Sequence, residues 1–422
     1  MRLLWLCNNA PGVVRSAISG KPESAVNWLD NVLNGLRRQG VTLRILYRGG
    51  GEPGQIDSLC SYAPVPETPA QIYQPKLEAS FRRELKTFRP DVIHSWGVEF
   101  HHALAMVNAA QKEDMLSCMA ASIQGLCCRI APHYTDGLPE RALRIRTLRD
   151  ILRHDSILRQ QEIHAQRGEL EILALRKLRH VIGRTDWDRR NALQINPELS
   201  YHFCNETLRD VFYSGQWAYS RCRKHRIFAS SCSYPVKGFH ILLEALALVR
   251  REYPDAEVCV TGRSFFAGNF QSRLRQNGYE AYLSQLVRQN RLEGAVVFLG
   301  HLSAGEMKQA YLDANVFVLA STMENSPNVL GEAMLLGLPC VAANVGGVSS
   351  LMGQTEGILC NPASPESLAR GICRVFAMEA EAEALGAAAR ARAEKTHDPE
   401  TNLETLMRIY ALLAERTELK ER

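Results

Sequence analysis

The sequence predicts an α/β protein of two Rossmann-like, doubly wound domains that face one another across a cleft. Three observations carry this expectation. Apolar runs of strand length alternate with amphipathic helical stretches. The rhythm stops near residue 210 and resumes near 226, and 422 residues are enough for two buried cores. A hydrophobic content of 46% with 23% charged residues suits a globular chain.

LLWLC (3–7) has the composition of a buried strand, residues 8–22 form a polar Gly-containing loop, and Glu23 to about Arg38 has the pattern of an amphipathic helix. After the glycine at position 40, GVTLRILY supplies a second strand. Further strands are expected at 91–95 in FRPDVIHSWG, at about 116–123 in MLSCMAASIQG, and at 178–185 in LRHVIGRT. Residues 1–210 thus make a first domain and the irregular, polar 211–225 a linker. The second domain, 226–395, repeats the pattern with strands in RIFASSC, AEVCVTG, AVVFLGH, NVFVLAS and PCVAAN. HILLEALALVRREYP and MKQAYLDA are helices between them, and 396–422 is a charged amphipathic helix expected to cross back to the first domain. Open α/β sheets bind ligands beyond the carboxyl ends of their strands, so the chemistry is expected in those loops.

The richest such loop is TMENSPNVLGEAMLLGLPCVAANVGG, 322–347. Ser326 suits an N-cap and Pro327 the first helical position. The amides of Asn328 and Val329 then lie at a positive dipole end, an arrangement suited to phosphate. Glu324 precedes the helix and Glu332 lies over a turn inside it. A carboxylate accepts from paired hydroxyls, so Glu332 suits a ribose diol and Glu324 the hydroxyls of a sugar beyond the phosphates.

This stretch resembles the retaining glycosyltransferases of the GT-B fold, specifically the large family 4. The resemblance rests on Glu324 and Glu332 with seven residues between them, the following GLPCVAAN and the Gly-Gly loop. SYPVKGFHILLEAL resembles the family's P-x-K-G segment, AEVCVTGRS its strand-Gly segment, and RPDVIHSWG its N-terminal strand ending in histidine. The resemblance implies a metal-independent transferase with no cofactor, which moves a sugar from a nucleotide-diphosphate donor to an acceptor hydroxyl with retention. It places Glu324 and Lys237 in catalysis, with Lys237 on the donor diphosphate. Glu332, Asn328, Val329, Ser326, Gly262 and Arg263 would bind the donor. The implied acceptor is a glycan or a lipid-linked glycan, in polysaccharide or glycolipid assembly.

The pattern breaks in identifiable places. Where the family carries an arginine five or six residues before the lysine, this chain has Ser231 and Cys232, so a second cation must come from elsewhere, such as Arg263. Gln124 stands where histidine is frequent, and a single Gly20 followed by Lys21 replaces a glycine pair. Gly20, Lys21 and His94 are weaker candidates for an acceptor or phosphate contact. Two alternatives stay open: a degenerate GT-B protein that binds or scaffolds, and a nucleotide-sugar epimerase or hydrolase.

Other features have plainer expectations. TDWD (185–188) contains D-x-D, but Thr185 and Asp188 suit a capping arrangement better than a metal site. The stretch 141–153 combines five arginines with Leu143, Leu148, Ile151 and Leu152 on one helix face; the expectation is an apolar stripe in the core, with anionic lipid as the alternative. A net charge of +5 and no reader motif argue against nucleic acid. Twelve scattered cysteines, no C-x-x-C pair and no apolar run near ~20 residues point to buried thiols in a cytoplasmic chain, at the inner face of the membrane if it meets lipid.

Overall fold

The structure is a computed structural model that describes residues 1–20, 28–266 and 274–421. Contacts divide the chain into two compact units. One comprises Met1–Arg129, His164–Arg209 and His397–Arg422; the other comprises Ile130–Ile163 and Asp210–Thr396.

The first unit holds an eight-stranded sheet. Its strands are β1 (Arg2–Cys7), β2 (Thr42–Arg48), β3 (Gly54–Gln55), β4 (Cys60–Val65), β5 (Val92–Trp96), β6 (Met119–Ser122), β7 (His180–Gly183) and β8 (Ser200–Phe203), in the order β3-β4-β2-β1-β5-β6-β7-β8. All pairings are parallel except β3 with β4. Side chains alternate across a strand, and β1 serves both faces. Leu4 and Leu6 pack with Phe81, Leu104 and Met106, while Leu3, Trp5 and Cys7 pack with Leu33, Leu36 and Tyr410. The C-terminal helix Pro399–Glu421 contributes Leu406, Ile409, Tyr410 and Leu413 to this second cluster.

The second unit holds six parallel strands: β9 (Arg226–Ala229), β10 (Glu257–Val260), β11 (Val296–Phe298), β12 (Val316–Leu319), β13 (Cys340–Ala343) and β14 (Ile358–Cys360), in the order β11-β10-β9-β12-β13-β14. Helices cover both faces, so β12 and β13 are buried at every position.

The boundary expected at residue 210 needs revision for 130–163. This segment falls between first-sheet strands in sequence, yet it packs with the second unit. Thr322 Oγ1 donates to the His133 carbonyl at 2.7 Å, and His240 Nε2 meets the Asp136 carbonyl at 3.0 Å. A Cβ on Gly278 would lie 2.7 Å from the Ile145 carbonyl oxygen, so helix and segment touch backbone to backbone. Connectivity is readable in sequence; which core a loop settles against is not.

Thr185 and Asp188 form the expected capping box on the helix Asp186–Ile195. No helix of the described residues is long and apolar enough to cross a membrane.

Candidate functional site

The site is built where β9 and β12 end side by side. After β9 the chain makes a single turn at Pro235–Lys237, then passes through Gly238 at φ 65° into the helix Phe239–Val249. A Cβ on Gly238 would lie 1.9 Å from the Ala320 carbonyl oxygen, so only glycine permits this approach to the end of β12. The Thr322 amide donates to the Val236 carbonyl at 2.9 Å, joining the two loops.

That join brings the lysine to the glutamate. Lys237 Nζ donates to Glu324 Oε1 at 2.7 Å, and Ser321 Oγ donates to the same oxygen at 2.7 Å. The Glu324 side chain is 12% exposed and that of Lys237 37%, so the ammonium keeps access to solvent. Behind the carboxylate, the Gly347 amide donates to the Glu324 carbonyl at 3.0 Å. Gly346, at φ 52°, passes so close that a Cβ there would lie 1.9 Å from the same carbonyl oxygen.

The helix Asn328–Leu335 begins four residues beyond Glu324. Its cap is displaced from the expected one: Pro327, at φ −72° and ψ 109°, is the N-cap, and no side chain caps the helix. The proline ring sets φ near the helical value without forcing ψ, so Pro327 stays outside the helix and Ser326 precedes it. Asn328 and Val329 occupy the first two helical positions, where amides have no acceptor within the helix. Glu332 is 3% exposed. Tyr311, from the preceding helix, donates its hydroxyl to the Val329 carbonyl at 2.9 Å and lies 3.5 Å from Glu332 Oε2.

Gly262 follows β10 at φ 100°, donates its amide to the Gly300 carbonyl at 2.8 Å, and has open space where a Cβ would stand. Next to it, Arg263 pairs with Glu280 at 2.7 and 2.9 Å and donates to the Arg275 carbonyl. Burial and then the Glu280 carboxylate push the Cys232 thiol up to about 12, opposed by Arg263. Lys237 and Arg263 are each matched by a carboxylate of this chain.

The first-unit candidates have their own surroundings. His94 was expected to face the cleft, but it is fully buried. Its Nδ1 contacts Tyr410 Oη at 2.6 Å, its Nε2 contacts Ser122 Oγ at 2.8 Å, and burial pulls its pKa down to about 3. It is a neutral core residue that ties β5 and β6 to the C-terminal helix. Part of the stretch 8–22 expected as a loop is the helix Gly12–Ser19, which Gly20 caps in the left-handed region, its amide donating to the Ser16 carbonyl at 3.0 Å. Lys21 lies outside the described residues. Gln124 donates to Glu206 Oε1 at 2.7 Å, and the same carboxylate pairs with Arg184 in a buried ion pair.

Sequence reasoning missed Ser321, Tyr311 and Glu280, and gave Gly238 no role beyond its place in the P-x-K-G segment. Ser321 could have been found by its three-residue spacing from Glu324. Nothing local marks Tyr311 or Glu280, which come from other helices.

The family described as glycosyl transferases group 1 matches residues 223–392. An uncharacterised glycosyltransferase of Methanocaldococcus jannaschii is 36% identical over 151 residues, 36% of this chain and 35% of that protein. The chain spans between 35% and 45% of the length of the first curated relatives it matches. Among solved structures, sucrose-phosphate synthase from Thermosynechococcus elongatus superposes with a TM-score of 0.71 at 16% identity, covering 98% of this chain and 99% of that one. Anabaena HepE in complex with UDP-glucose gives a TM-score of 0.65 at 18% identity, covering 99% of each chain. These likenesses show the fold, which is of the GT-B type.

Proposed function

From a GT-B chain whose residues 223–392 match the group 1 glycosyl transferases, we propose that the second unit binds a nucleotide-diphosphate sugar. The protein would then pass the glycosyl group to a hydroxyl of a glycan or lipid-linked acceptor, with retention and without a metal ion. The observation that carries this is the Lys237–Glu324 pair at 2.7 Å, set four residues ahead of a helix N-terminus.

In this reading the donor diphosphate takes over Lys237 and meets the amides of Asn328 and Val329. Cation and helix dipole stabilise the charge that develops as the anomeric carbon–oxygen bond to the diphosphate breaks. Glu324, released from Lys237, turns to the sugar hydroxyls. Glu332 accepts from the ribose. The backbone at Gly262 leaves room for a ligand to approach, and Arg263 supplies the second cation once it exchanges Glu280 for phosphate. The work is chiefly positioning and charge stabilisation.

A second reading has a specific observation behind it: a buried thiol, Cys232, stands where the resembling family carries arginine, as in a fold that kept binding and lost transfer. Calorimetric titration with nucleoside diphosphates and their sugars separates the two, beginning with the uridine series because HepE was solved with UDP-glucose. Selective binding of one nucleotide, lost in Lys237→Ala and Glu332→Ala, followed by transfer to an acceptor, is the expected result. Binding without transfer would favour the scaffold, and donor turnover without acceptor an epimerase or hydrolase. No binding across the panel overturns the proposal.

A further inference from the structure

The arginine-rich segment of the second unit is built inside out. Its apolar stripe was expected in the core, but Leu148, Ile151 and Leu152 are 54%, 58% and 72% exposed, and Leu158 nearby is 44% exposed. Among the described residues only twelve large apolar side chains are exposed, and four of them fall in this stretch of eleven. Isolated exposed leucines are ordinary, whereas a cluster marks a contact surface.

The polar residues hold the segment to the protein. The helix Leu148–Arg153 is capped by Thr147, which forms a capping box with the buried Asp150. Arg149 turns inward to Asp155 at 3.1 Å and Glu280 at 3.9 Å. Asp150 Oδ2 would stand 2.8 Å from a Cβ on Gly278. With Arg149 and Asp150 serving as anchors, the helix presents Leu148, Ile151 and Leu152 outwards.

Around these side chains basic residues outnumber acidic ones. Residues 140–162 contain six arginines against Glu140, Asp150, Asp155 and Glu162, a net +2 in a chain whose whole charge is +5. Arg146 and Arg153 are exposed. A groove of about 470 Å³ beside the helix is lined by Arg146, Asp150, Ile151, His154, Ser156 and Arg159.

We propose that this face docks on an anionic lipid bilayer. Leu148, Ile151 and Leu152 enter the boundary between headgroups and acyl chains, and Arg146 and Arg153 meet lipid phosphates, with the groove receiving a headgroup. A second copy of the chain is the weaker occupant, because two such faces would bring like charges together. The inference goes beyond the donor reading and does not depend on it.

The test is flotation of the full-length protein with vesicles of phosphatidylcholine, with and without phosphatidylglycerol, at low and high salt. Binding should require phosphatidylglycerol and fall with salt. Arg146→Ser and Arg153→Ser should each weaken it about fivefold. Ile151→Ser combined with Leu152→Ser should weaken it at least about tenfold with every arginine in place. Circular dichroism of each variant confirms the fold. Equal binding to both vesicle types, no binding at low salt, or indifference to the Ile151/Leu152 change overturns the proposal. So does self-association in sedimentation that the double variant abolishes, since the face would then belong to a second copy.

Discussion

Replacing Gly346 with alanine probes the support under Glu324 without touching any group that could meet a ligand. The added Cβ would start 1.9 Å from the Glu324 carbonyl oxygen, and contacts under 3.0 Å are not sustained, so the two must separate by about 1 Å. Two costs combine. Holding alanine at φ 52° costs about 1–2 kcal/mol, and the forced shift in a packed region about 1–3 kcal/mol. Loss of glycine's freedom in the unfolded chain returns about 0.4–1 kcal/mol. The net is about 1–4.5 kcal/mol, a fall in Tm of roughly 2–18 °C for a unit of this size. A shift of this kind at the Glu324 backbone also displaces the Lys237 pair, and misplacement by about 1 Å can cost on the order of a hundredfold in rate. Gly305→Ala is the control: it lies in the helix Ala304–Asp313 with nothing within 4 Å of the new Cβ, and should stabilise by up to about 1 kcal/mol. Scanning calorimetry with nucleotide titration reads both variants. A Gly346→Ala protein with unchanged Tm and unchanged affinity would refute the reasoning.

Other expectations follow from the same geometry. Lys237→Met removes a charge-assisted contact worth about 1.5–3 kcal/mol, so nucleoside diphosphate affinity in calorimetry should fall by between about ten- and a hundredfold; an unchanged Kd would remove Lys237 from the phosphate site. Glu280→Gln preserves the capping box on the helix Gly278–Gln289 but discharges the partner of Arg263, and should tighten nucleotide binding by about three- to tenfold if Arg263 serves the diphosphate. Equal or weaker binding would assign Arg263 to structure alone. His240 and His94 are buried, and burial pulls their pKa values down to about 4 and about 3. Between those values and the ordinary ~6.5 the unfolded chain binds more protons, so stability should be full above about pH 6.5 and decline as pH falls, by up to about 1.4 kcal/mol per pH unit for each histidine. Urea unfolding at a series of pH values checks this, and a flat profile from 7 to 5 would contradict it.

The fold class was legible because central strands such as β1, β12 and β13 are continuous apolar runs buried on both faces, whereas β3 and β8, exposed or half-buried throughout, carry no such signal. The pairing of Lys237 with Glu324 was half legible. Both residues stood out in sequence, but their 2.7 Å contact depends on Gly238 passing against Ala320, a fact of packing between two loops far apart in the chain. Ser326 was misplaced by one position because proline suits both the N-cap and the first helical residue. His94 misled for a different reason. A histidine at a strand end looks like a ligand contact, and only the approach of Tyr410 from the C-terminal helix makes it a core residue. The stripe at 148–152 shows the limit of periodicity, which identifies an apolar face without saying whether protein covers it.

The allocation of 130–163 to one unit and 397–422 to the other bears on how the chain acquires its structure during synthesis. Made from the N-terminus, residues 130–163 emerge well before the helices that receive them, and the first sheet waits for Tyr410 and Leu413, which follow its last strand by about 200 residues. Neither half can complete its core independently in the order it is made. A gene split at residue 210 would yield two polypeptides, each lacking a part of itself. The early-made loop, with its leucines outward, is then a sticky surface on the ribosome-bound chain for as long as its anchor Gly278 is missing.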